Sequence, residues 1–101
     1  MMEGRPVKFR LLEIFAEKGH LWSYEVTEIM AAEYKDRKGK FGRQSTNWDL
    51  IELAASGFIK ETDASIDEKY GKGNLLLQYG LTAIGRDELE RLKTIVKPRG
   101  E

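Results

Sequence analysis

The sequence predicts a mainly α fold with a small β-hairpin, an α+β arrangement, and three observations carry that prediction. Apolar residues recur at helical spacing in four separate stretches. Between the third and the fourth, the pattern switches to short strand-like runs on either side of a polar, glycine-containing segment. Gly19, Gly57 and Pro98 stand where three of the helical stretches stop.

The first helix opens at Pro6, whose missing N–H costs nothing in a first turn. Val7, Leu11, Ile14 and Phe15 share one face, and Leu12 and Ala16 widen it into an arc broad enough for more than one neighbour. Lys18-Gly19 ends it. A short apolar link, "HLW", leads to Ser23, the expected N-cap of a second helix with a Val26, Ile29, Met30, Tyr34 stripe. A third helix is expected to begin near Gln44 or Ser45, with Thr46 and Asp49 at capping-box spacing. Its core face is Leu50, Leu53 and Ala54. The strands are "FIKETDASI" and "NLLLQYGL", joined by a long tip, "DEKYGKG". In the second strand Leu75, Leu76 and Leu77 cannot all face the core, so one of them is expected to be exposed or to meet a partner. The simpler expectation is a strand buried on both sides, where the sheet meets the last helix. Thr82 caps that helix, expected over residues 82–97, with Ile84, Leu89, Leu92, Ile95 and Val96 on one face.

Helix, extended link, helix, basic loop, helix, hairpin, helix is the order of a winged helix-turn-helix domain. At 101 residues one domain is expected, with residues 1–5 and 97–101 as loose tails. The chain has no cysteine, and no run suits a signal peptide or a membrane span, so a soluble cytoplasmic protein is expected. His20 is the sole histidine, and the carboxylates form no recognisable acid pair. The expectation is therefore a non-enzyme without metal or cofactor. "GKGNLL" has glycines spaced loosely like a phosphate loop but lacks the Lys-Ser/Thr ending.

Charge is the informative feature. The chain carries seventeen bases and seventeen acids. Residues 35–43 hold five of those bases against one acid, leaving a net −4 elsewhere. In a helix-turn-helix the second helix of the pair enters the DNA major groove and its first residues meet base edges. Gln44, Ser45 and Asn47 would read bases there, with Trp48 as a further candidate, since Gln and Asn present the donor and acceptor that an adenine edge requires. Lys38, Lys40 and Arg43, with Lys69 and Lys72 at the hairpin tip, would hold phosphates. Six phosphate contacts per dimer would make log affinity fall with log salt at a slope of roughly −5. The neutral total and the leucine run favour a different class of function, a winged-helix protein–protein adaptor that does not bind DNA.

From Ser45 to Leu92 the chain resembles the PadR and MarR groups of winged-helix regulators, PadR more closely. "LIELAASGFIKE" is similar to the end of the family's third helix through Leu50, Leu53, Gly57, Phe58 and Ile59. "LQYGLTAIGRDELERL" is similar to its strand-to-helix junction through Tyr79, Leu81, Thr82, Gly85, Arg86 and Leu89. "HLWSYEV" resembles the aromatic-rich approach to helix two. The resemblance implies a homodimeric, sequence-specific DNA-binding transcription regulator. Its last helix, helped by the first, would make the dimer contact, here through Leu11, Phe15, Leu89, Leu92 and Val96. It also allows a planar small-molecule effector against Trp48, Ile51 and Ala55 between subunits, although Trp22 and Trp48 are most simply core or interface aromatics. Three differences from the family stand out: Asn47 where an aromatic is usual, lysines rather than arginines in the wing, and a short final helix.

Overall fold

Helix α1 (Val7–Lys18) sits at the centre of the molecule because it is apolar on most of its circumference. Phe9, Leu11, Leu12, Ile14 and Phe15 are all buried, each contributing about 1.5–3 kcal/mol of transfer free energy. The structure, a computed structural model, describes residues 6–67 and 74–95. After α1 come strand β1 (Leu21–Trp22), α2 (Ser23–Glu33), a 3-10 turn (Lys35–Arg37), α3 (Lys40–Ala55), β2 (Ile59–Asp67), β3 (Asn74–Leu81) and α4 (Ala83–Ile95). Around α1 gather Val26 and Met30 of α2, Leu50 and Leu53 of α3, Ile59 and Tyr79 of the sheet, and Leu89 of α4.

The sheet has three antiparallel strands in the order β1-β3-β2. The link "HLW" supplies the third strand, with Leu21 opposite Tyr79 and Trp22 opposite Gln78. Pairing keeps Trp22 extended up to the start of α2, so Trp22 takes the cap position and Ser23, expected there, is the first helical residue. The Glu25 carboxylate accepts the Trp22 N–H at 2.9 Å. With α2 and α3 packed as a pair and a β2–β3 hairpin following α3, this is the winged helix-turn-helix arrangement predicted from the element order.

Two sequence features act locally, as expected. Gly19 ends α1 at a φ of 81°, a region in which glycine meets no steric penalty. Thr82 caps α4: the Gly85 N–H donates to its Oγ1 at 2.9 Å, while its hydroxyl donates to the Gly57 carbonyl at 2.6 Å. Gly85 itself is required by packing, because a Cβ there would lie 1.9 Å from the Phe58 carbonyl oxygen.

The triple leucine leaves one member exposed and is not buried on both sides. Residue Thr62 is an extra residue in β2, between the pairs Glu61–Tyr79 and Asp63–Gln78. A bulge of this kind shifts which face each later pair presents. Leu77 packs on the core, Leu76 is half-buried, and Leu75 stands 62% exposed. Burial of all three against α4 does not occur.

The dimer residues expected from the resemblance also require correction. Leu11, Phe15 and Leu89 are buried in the chain's own core and have no surface left for a second copy. Leu92 is half-buried against the same core, and Val96 lies outside the described residues. The broad arc on α1 is used within one chain.

Candidate nucleic-acid interface

The basic segment is mostly structured. Residues Lys35–Arg37 form the 3-10 turn, and α3 starts at Lys40 rather than near Gln44. Gly42 explains the difference. A Cβ at Gly42 would lie 2.4 Å from both the Arg37 Cα and the Asp36 carbonyl oxygen. Glycine therefore lets the turn cross directly over the first turn of α3. Its effect here is to permit helix packing, although glycine in a sequence ordinarily reads as a helix stop.

Thr46 and Asp49 consequently do not form a capping box. Thr46 is wholly buried and its hydroxyl donates to the Gly42 carbonyl at 3.3 Å. Asp49 accepts a hydrogen bond from Arg37 Nη1 at 2.7 Å, and Thr46 Oγ1 stands 3.5 Å from the same nitrogen. Together they receive an arginine that reaches across from the 3-10 turn.

This geometry sorts the expected phosphate ligands. Lys38 and Lys40 are exposed at the mouth of α3. Arg43 is turned back: its Nε donates to the Lys38 carbonyl at 3.2 Å and its Nη1 to Glu28 of α2. Two of the five bases, Arg37 and Arg43, are thus committed to carboxylates of the same chain. Lys69 and Lys72 lie outside the described residues.

The expected base readers are sorted as well. Gln44 and Ser45 are exposed on the outward face of α3, one turn beyond Lys40 and Phe41. Ser45 donates its hydroxyl to the Phe41 carbonyl at 2.9 Å. Asn47 is half-buried and turned toward the sheet, where with Ser23, Ile51, Leu75 and Leu77 it lines a cleft of about 210 Å³. The outward edge therefore brings together Lys38, Lys40, Gln44 and Ser45, with Asn47 on its flank.

The structure adds Phe41, not expected at this surface, beside Trp48. Phe41 is 85% exposed and Trp48 60% exposed, on the same face as Gln44 and Ser45. Ile51 continues the face and Leu75 flanks it from the sheet. Trp48 is accordingly not a core aromatic, whereas Trp22 is half-buried. The i, i+3, i+7 spacing of Phe41, Gln44 and Trp48 was a readable signal, but only once α3 is known to begin before Phe41.

Two further sites of charge pairing lie away from this surface. Arg10 donates from Nε and Nη2 to the two oxygens of Glu33 at 2.7 and 2.9 Å, fastening α1 to the end of α2. Those hydrogen bonds push the Arg10 pKa above the ordinary arginine value, against the effect of burial. Glu88 of α4 accepts from Lys8 Nζ at 2.7 Å and from Arg91 at 2.8 Å. Among the described residues there is no group of three or more side chains suited to a metal ion. No helix among them is long and apolar enough to cross a membrane.

No protein-family model matches the chain, and no curated protein or solved structure matches it either.

Proposed function

We propose that the chain is a sequence-specific, double-stranded DNA-binding transcription regulator, with α3 in the major groove and the β2–β3 wing beside it. The observation that carries this reading is the outward edge of α3. Lys40, Gln44 and Ser45 are exposed together on the second helix of a helix-turn-helix pair, with exposed Lys38 just before its start. Cations there suit the phosphates that flank a groove, and a Gln side chain suits an adenine edge within it. Only Gly39, which has no side chain, occupies the N-cap of α3. The positive end of the helix dipole therefore adds to the attraction for phosphate. The resemblance to PadR-type regulators supports the same reading.

A homodimer belongs to this proposal. Ile84 and Ile95 are exposed on one face of α4, about three turns apart, and a second copy would cover them. Two α3 helices roughly 34 Å apart would then face a pseudo-palindromic site.

A second reading, the protein–protein adaptor, is favoured by the exposed apolar side chains Phe41, Trp48, Ile51 and Leu75. Salt separates the two. The protein is titrated into a labelled random-sequence duplex and anisotropy is followed at several salt concentrations. Micromolar binding that weakens steeply with salt supports DNA. No binding at low salt overturns that reading in favour of the adaptor.

A further inference from the structure

Phe41 and Trp48 are the unusual feature of α3, because they give the outward face of a polar helix two bare rings. Neither ring is used by the chain's own core. Between them in the same stripe lie Gln44 and Ser45, and beside them Lys38 and Lys40. Apolar rings interleaved with an amide and bordered by cations complement a ligand that is itself mixed. It should present apolar groups, hydrogen-bonding edges and negative charge at close spacing.

The major groove of an A·T pair has this composition. Thymine carries a C5-methyl there, adenine offers N6 and N7 to a Gln side chain, and phosphates border both. Phe41 and Gln44 are three residues apart, which makes them neighbours on the helix surface. One can therefore meet the methyl of a base pair, or of its neighbour, while the other meets the adenine. Phe41 and Trp48 are seven residues apart, about 10.5 Å along the axis. That spans about three base-pair steps of 3.4 Å.

The same surface is poor in the side chain best suited to guanine. Bidentate contact to guanine comes most often from arginine. Arg37 is bound to Asp49, and Arg43 is bound to Glu28 and to the Lys38 carbonyl.

Resting on the DNA-binding reading above, we propose that α3 reads thymine methyl groups through Phe41 and Trp48, with Gln44 on the paired or adjacent adenine. The preferred sites are therefore rich in A·T pairs at the positions that α3 faces.

The test removes the methyl and nothing else. A preferred duplex is selected from a random library with the full chain. It is then prepared with thymine or with deoxyuracil throughout, and both forms are titrated at one salt concentration. Wild type should bind the uracil duplex about fourfold more weakly for each methyl that α3 touches. Phe41→Ala should weaken binding to the thymine duplex and narrow the thymine-to-uracil ratio. The Phe41→Ala, Trp48→Ala double variant should abolish that ratio. Both side chains are exposed, so these variants leave the core intact, and circular dichroism verifies it. Equal binding of the two duplexes by wild type overturns this inference while the DNA-binding reading stands. The apolar stripe then remains as a surface for a protein partner. Failure to bind any duplex at low salt overturns both.

Discussion

Arg37 Nη1 lies 2.7 Å from Asp49 Oδ2, across the crossing of the 3-10 turn and α3. The pairing takes one base out of the positive segment and uses it to hold the helix that bears the candidate interface. Both groups are largely shielded, so the pair is worth more than an exposed ion pair. Asp49→Ala would leave the largely shielded Arg37 guanidinium without its carboxylate partner. It should destabilise the chain by about 1–3 kcal/mol, read from urea denaturation. A variant as stable as wild type would show that the crossing is held by packing alone.

Gly42→Ala tests the close approach. In an ordinary helix interior alanine is favoured over glycine by about 1 kcal/mol. Here the new Cβ meets backbone atoms at 2.4 Å, and backbone cannot swing aside as a side chain can. The clash should outweigh propensity and give a net loss of about 1–3 kcal/mol. Gly39→Ser, at the open N-cap of the same helix, should change stability by only a few tenths of a kcal/mol, roughly neutral or slightly stabilising. Equal effects at the two positions would contradict the crossing geometry.

Lys38→Ala with Lys40→Ala should weaken binding to every duplex alike. Its salt slope should become shallower by about 0.9 for each phosphate that is no longer neutralised. Arg43→Ala should do less, because that side chain is bound to Glu28 and to the Lys38 carbonyl. Anisotropy titrations at several salt concentrations distinguish the variants. A larger effect of Arg43→Ala would mean that Arg43 leaves Glu28 when DNA binds.

Acid should loosen the α1–α4 packing. Hydrogen bonds from Arg91, then from Lys8, pull the Glu88 pKa down to about 2, against about 4.3 for an unperturbed glutamate. A depressed folded-state pKa contributes stability that is present above the unfolded value and is lost as pH falls toward the folded one. The window therefore runs from about pH 5 down to about pH 2. Wild type should lose more stability across it than Glu88→Gln, and the two should converge near its acid end. Parallel pH profiles from urea midpoints would exclude Glu88 from the acid response.

Legibility differed from residue to residue for a physical reason. Thr82 and Gly19 were readable because a cap acts on groups within three or four positions of itself. The strands "FIKETDASI" and "NLLLQYGL" were readable because the helical period stops on either side of a polar, glycine-containing tip. The start of α3 was misplaced because Gly42 looks like a stop until Asp36 and Arg37 are known to lie against it. Leu11, Phe15 and Leu89 looked like dimer residues because an apolar stripe does not say which neighbour will cover it. Within the candidate interface, Lys38, Lys40, Gln44 and Ser45 were foreseen and Trp48 was a candidate, while the exposure of Phe41 was not foreseen.

The amino-acid order alone determined the kind and succession of the elements, and hence the winged helix-turn-helix arrangement. Periodicity, caps and breakers act over one or two turns, and the chain states them locally. Tertiary structure decided which bases remain available to a partner and which rings stay bare. Arg43 meets Glu28 fifteen residues away, and Arg10 meets Glu33 twenty-three residues away. Charge pairing and burial depend on such distant partners, so composition could locate the positive segment but could not say how much of it is already neutralised.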